Sequence, residues 1–183
     1  MTKTLPRLHV VPLQKAIGMG CFEIQITVHR PLATVFSVYT DTDKWRWCSY
    51  IRDVRWIRGN PWEEESRLRI EIDGAVGSTV DQVLIGFELN RRADYISHFS
   101  GITMETRVSF RSVSDQETEI HGRIEFVGTV SRIVGFAIGP AIERSTRQFF
   151  EDLKRECERE KTVASPRLAI EGTARQRHRR LKR

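Results

Sequence analysis

The chain has 183 residues, 39% of them hydrophobic and 30% charged, with a formal net charge of +6. That is the size of one compact domain, and no segment reaches the roughly 18 apolar residues of a membrane-spanning helix. The basicity belongs to one end: residues 161–183 hold eight Lys and Arg against Glu171, a balance of +7 that leaves the first 160 residues at −1.

Residues 1–20 contain Lys3, Arg7 and Lys15 but no uninterrupted apolar core of the kind a secretion signal carries. They are expected to be an N-terminal extension, and the protein is expected in the cytoplasm. Cys21, Cys48 and Cys157 lie too far apart for a CxxC site or a disulfide framework. Neither a metal nor a cofactor is expected.

The first regular element comes next. Phe22, Ile24, Ile26 and Val28 alternate with Glu23, Gln25 and Thr27, which predicts a strand with one apolar face and one wet face. Pro31 ends the strand and suits the first turn of a helix, where its missing N–H costs nothing. Val35, Phe36, Val38 and Tyr39 give that helix an apolar side. Asp41, Thr42 and Asp43 are capping residues, and a second short helix carrying Trp45 and Trp47 follows, with Tyr50 just beyond.

From there the strands come in a run. Val54 and Trp56 precede the Gly59-Asn60-Pro61 turn. Leu68, Ile70 and Ile72 alternate with charged residues up to Asp73-Gly74, a hairpin signal. Val80 to Leu89 is a longer apolar strand, and Tyr95 to Phe99 a short one. Met104, Thr106, Val108 and Phe110 alternate with Glu105, Arg107, Ser109 and Arg111. Ile120, Gly122, Ile124 and Phe126 alternate with His121, Arg123 and Glu125. Strands joined by short turns predict an antiparallel sheet of about seven strands.

The last element is a helix from about Ser131 to Glu160. Ile138, Ile142, Phe149, Leu153 and Cys157 share one face. Pro140 is expected to kink it. Its first half, Val134 to Ile138, is apolar nearly all round, which fits a helix lying over a cavity or under a loop. Ser165-Pro166 stops any continuation, so residues 161–183 are expected to form a basic, disordered tail. Contacts with nucleic acid are expected from Arg175 to Arg183 alone, if anywhere, because the preceding residues are close to neutral.

This order of elements resembles the START-like, helix-grip (SRPBCC) superfamily, which includes polyketide cyclases, the major pollen allergens and lipid-transfer domains. The resemblance rests on Val28-His29-Arg30-Pro31, the Val35-Phe36 pair, Asp41 and Trp45. A further echo is Gly59-Asn60-Pro61-Trp62 before Ser66-Arg67-Leu68, where Glu65 or Ser66 replaces a Gly that relatives usually carry. It spans residues 22–158 and implies an α+β helix-grip domain over 21–160: a curved antiparallel sheet wrapped around the long C-terminal helix, with two short helices after the first strand.

The resemblance also implies a cavity between sheet and helix. Its expected ligand-binding wall is Trp45, Trp56, Ile70, Ile85 and Phe87, continued by Met104, Val108, Ile124, Ile138 and Ile142, with Ile24, Ile26, Val54 and Phe126 nearby. The same residues also fit an ordinary packed core. By alternation Glu23, Arg107, Arg111, His121, Arg123 and Glu125 fall on the wet face as cross-strand ion pairs. Inward polar groups are few: Thr106, Ser97, Tyr39 and Tyr50. His98 is the candidate catalytic residue, and a shift of one residue in register decides whether it faces the cavity.

That inventory favours binding or carriage of a hydrophobic small molecule or lipid. An enzyme of the polyketide cyclase, dehydratase or hydrolase type is the first alternative, and a protein-interaction module using the basic tail is the second. The aromatic group Trp45, Trp47, Tyr50, Trp56 and Trp62 either lines the cavity mouth or plugs the end of the sheet.

Overall fold

The computed structural model describes residues 20–73 and 79–159. The expected extension up to residue 19, the expected basic tail and the turn after Asp73 lie outside them. The elements are β1 (Cys21–Val28), α1 (Leu32–Thr40), a 3₁₀ helix (Thr42–Trp47), β2 (Ile51–Arg58), β3 (Arg67–Ile72), β4 (Thr79–Glu88), β5 (Arg92–Phe99), β6 (Ile102–Ser114), β7 (Glu117–Phe126) and α2 (Thr129–Arg159).

The strands form one curved antiparallel sheet in the order β1-β7-β6-β5-β4-β3-β2. Consecutive β1 and β2 therefore sit at opposite edges, and α1 with the 3₁₀ helix carries the chain between them. Strand alternation sorts the side chains as the sequence predicts. On one face Ile24, Val28, Val108, Phe110, Ile120 and Ile124 are buried. On the other, Arg123 bonds Glu23 and Glu125 at 3.4 Å each, and Arg111 bonds Glu119 at 2.8 Å. Exposed pairs of this kind contribute little stability individually.

A bulge in β4 breaks the alternation there. Leu84 pairs with Tyr95, but Gly86 pairs with Asp94, so β4 carries an extra residue there. Leu84 is buried before the bulge and Ile85 is turned out, 44% exposed. The expectation that Ile85 faces inward is corrected accordingly.

Helix α2 lies across the concave face, and two glycines set how closely. A Cβ on Gly122 would stand 2.6 Å from the ring of Phe150, and one on Gly135 would stand 2.6 Å from the ring of Phe126. The C-terminal half buries Phe150, Leu153 and Cys157. There the buried Asp152 carboxylate accepts the backbone N–H of Ser49 at 3.1 Å and its hydroxyl at 3.2 Å, tying α2 to the start of β2.

The N-terminal half behaves differently. Gly135 is buried, but Val130, Ile133 and Phe136 are 68%, 70% and 76% exposed. Of the apolar run from Val134 to Ile138, the side chain at Ile138 is the one turned to the sheet; Val134 and Phe136 look outward. Pro140, where a kink was expected, lies inside α2, which runs from Thr129 to Arg159.

Candidate functional site

Where the first half of α2 stands off the sheet, a cavity of about 380 Å³ remains, a size common among small-molecule sites. Its floor is the concave sheet face, with Ile70 from β3, Met104 and Val108 from β6, and Ile124 from β7. Ile138 and Ile142 of α2 form the roof, and Trp45 closes one end. The structure thus brings together seven of the residues singled out in the sequence. Asp73, Ala141 and Ser145 also line the cavity and are exposed, so it opens to solvent between the end of β3 and the middle of α2. Tyr50 bridges this opening, its hydroxyl donating to the carbonyl of Ser145 at 2.8 Å.

Three expected wall residues lie elsewhere. Ile85 is turned out by the bulge. Phe87 faces inward after it, but its ring is covered by Phe36 at 5.7 Å and Trp62 at 5.2 Å. Trp56 packs on Trp62 at 5.4 Å and donates its indole N–H to Thr42 at 3.2 Å. These rings plug the end of the sheet beneath α1, whereas Trp45 and Tyr50 belong to the cavity, so the aromatic group is divided between the two roles. Ile24, Ile26, Val54 and Phe126 pack in the core beside the cavity.

The facing of His98, the candidate catalytic residue that the sequence left to the register, is outward. Tyr95, Ser97 and Phe99 are buried, and the alternation leaves His98 on the exposed face, its Nδ1 3.2 Å from the Thr103 hydroxyl. It does not reach the cavity.

Among the wall residues not anticipated in the sequence are Gln82, Tyr95 and Phe149. Gln82 lies between Val80 and Leu84 on their face of β4, and such a polar residue reads as a wet position unless its partner is known. That partner is Ser97, whose hydroxyl accepts from Gln82 Nε2 at 3.1 Å. Tyr95 lies two residues from Ser97 and hence on the same face, a signal that was available. Its hydroxyl is 3.1 Å from that of Tyr39 on α1. Phe149 edges onto Trp45 at 5.1 Å and Trp47 at 5.2 Å, closing the inner end.

The electrostatics are those of a dry site. Burial pushes the hydroxyls of Tyr39 and Tyr95 well above the ordinary tyrosine value, so both stay protonated at neutral pH. Burial likewise raises Cys48. Among the described lining residues the ionisable groups are Tyr39, Tyr50, Tyr95 and the rim residue Asp73, which is paired with Arg52. Among the described residues no acid–base pair faces the interior. The arrangement is equipped to enclose an apolar body and hydrogen-bond one part of it.

A family profile described as polyketide cyclase / dehydrase and lipid transport matches residues 19–158. No curated protein matches the chain by sequence. Among solved structures, Ara h 8.0201 superposes with a TM-score of 0.64 at 14% identity, over 78% of this chain and 99% of the other. The Zhui aromatase/cyclase from Streptomyces sp. R1128 gives 0.64 at 16% identity, over 79% and 97%. A START superfamily protein from Mycobacterium smegmatis gives 0.60 at 13% identity, over 77% and 99%. At these identities the structural likeness speaks to the fold.

Proposed function

Given that the chain belongs to the polyketide cyclase / dehydrase and lipid transport family, we propose that it binds and carries a hydrophobic small molecule or lipid in the cavity beneath α2. The observation that carries this reading is the cavity itself: about 380 Å³, walled by Ile70, Met104, Val108, Ile124, Ile138 and Ile142, and open at one rim. Burying an apolar ligand there is favourable by roughly 25 cal/mol per Å² of apolar surface removed from water. No disulfide joins Cys21, Cys48 and Cys157, in keeping with a cytoplasmic carrier.

A second reading draws on the hydroxyl pair Tyr39–Tyr95. In a cyclase or dehydratase these groups would hold a substrate carbonyl, and the walls would hold the substrate folded. Their raised pKa values suit them to donate hydrogen bonds and not to act as bases. His98 has no part in either reading.

Protein purified without detergent and examined by native mass spectrometry tests the proposal. The expected result is a small-molecule adduct that is lost on denaturation, absent from Ile142→Asp and retained in His98→Ala. An apo mass together with failure to take up a neutral hydrophobic dye would remove the carrier reading. Loss of a measurable turnover in Tyr39→Phe with ligand affinity retained would favour the enzyme.

A further inference from the structure

Inside its rim of Tyr50, Asp73 and Ser145, the cavity is apolar except for Thr146, whose hydroxyl donates to the Ile142 carbonyl, and one stripe across the sheet. Gln82 on β4 pairs across the sheet with Ser97 on β5, and Tyr95 on β5 pairs with Thr106 on β6. Tyr39 joins the stripe from α1 through its contact with Tyr95.

The stripe has hydrogen-bonding capacity left over. Each hydroxyl carries one hydrogen and two lone pairs. The Tyr39–Tyr95 contact uses one of its two hydrogens, and the other has no acceptor among the described residues. Ser97 accepts from Gln82, which leaves the Ser97 hydrogen and the Gln82 carbonyl oxygen open. Tyr39 and Tyr95 are each 2% exposed and Ser97 1%, so these groups meet only what enters the cavity. A buried donor left unmade is costly, and the partner has to come from whatever fills the cavity.

The stripe also lacks charge. No Lys, Arg or His is among the described residues that line the cavity, and Asp73 stands at the rim against Arg52. A carboxylate seated on the stripe would lose its hydration and gain no counter-charge, which disfavours the ionised form strongly. A carbonyl or hydroxyl oxygen incurs no such penalty and fits the open positions.

We infer that the cavity selects an uncharged molecule with a hydroxyl- or carbonyl-bearing end, seated on Gln82, Ser97, Tyr95 and Tyr39, and rejects the carboxylate of the same shape. This rests on the carrier reading above and adds the chemical class of the cargo. Gln82 is the specificity-determining position, because it is the stripe residue nearest in kind to one that could carry a positive charge.

Retinol and retinoate form a matched pair, alike in ring and chain and differing in the end group. Both quench tryptophan fluorescence, and Trp45 is in the cavity wall. Titrated into the full chain near neutral pH, retinol is expected to bind about tenfold more tightly than retinoate or better. Gln82→Lys should reverse the preference, and Tyr95→Phe combined with Ser97→Ala should shrink it severalfold. Nile red, a neutral dye, reports in each case whether the cavity is open. Equal binding of the two retinoids, tighter binding of retinoate, or binding of Nile red but of neither retinoid overturns the inference while the carrier reading stands. Failure of Nile red to bind the unmodified chain removes the carrier reading, and this inference falls with it.

Discussion

The N-terminal half of α2 carries more apolar residues than the C-terminal half, and the two halves use them in opposite ways. In the C-terminal half Phe150, Leu153 and Cys157 are closed against the sheet and α1, and the buried Asp152 fixes the turn before β2. In the N-terminal half Val130, Ile133 and Phe136 face away from the sheet, and contact is made through Gly135 on Phe126. Ile138 and Ile142, between them, line the cavity and pack at the edge of the core around Met104, Ile124 and Phe126. One half of the helix supplies stability, and the other trades packing for a cavity.

The contrast is broken most severely in the closed half. Leu153→Ala is expected to cost about 2–5 kcal/mol, because its wholly buried side chain leaves a void; chemical denaturation measures the loss. A value under about 1 kcal/mol would show that this half is as loose as the other. Next comes Gly122→Ala, whose added methyl meets the Phe150 ring at 2.6 Å and should cost about 1–3 kcal/mol. Gly135→Ala meets Phe126 at the same distance but should cost less, since the half it lifts is held by fewer contacts. Its larger effect should be on ligand affinity.

Alkaline titration sharpens the comparison at the junction. The chain has three tyrosines, and burial raises the hydroxyls of Tyr39, Tyr95 and Tyr50 above the ordinary value. Their folded-state values lie above the unfolded value of about 10, so the folded state keeps protons that the unfolded state gives up. Their contribution to stability is present in full below about pH 10 and is lost as the pH rises beyond it. The ultraviolet signal of tyrosinate should therefore stay flat near pH 10 and appear only as the protein unfolds. Ordinary titration of Tyr39 and Tyr95 would mean that water penetrates under α2. The smallest effect is expected at the outer face: Phe136→Ser should change stability by less than about 0.5 kcal/mol.

The sequence made element order and facing legible because both follow from period. Alternation in β1, β6 and β7 sorted buried from charged residues correctly, and the helical spacing of Phe149, Leu153 and Cys157 found the closed face of α2. Local exceptions to period were not legible. The bulge in β4 was marked in the sequence by Gly86 alone, and the alternation around it reads either way, with Gln82 in one register and Asp81 in the other. The position of Phe87 and Trp56 outside the cavity depends on Trp62, whose backbone adopts a φ of 65°, and Glu65 nearby adopts 66°. Left-handed residues other than Gly are uncommon, and Glu65 stands where relatives were expected to carry Gly. His98 was undecidable from β5 alone, and the cross-strand partner Met104 for Ser97 resolves it. The polar stripe was half legible: Ser97 and Thr106 were read inward, whereas Gln82 gains its place from Ser97.

The most direct measurement is a Nile red fluorescence titration of the full chain beside Ile142→Asp and Phe136→Ser. Binding to the unmodified protein is expected at micromolar concentration, about −8 kcal/mol. It should be abolished by the charge placed in the cavity roof and unchanged by the substitution on the exposed patch. Binding that survives Ile142→Asp and disappears with Phe136→Ser would place the dye on the outer face of α2, and would contradict an internal ligand site.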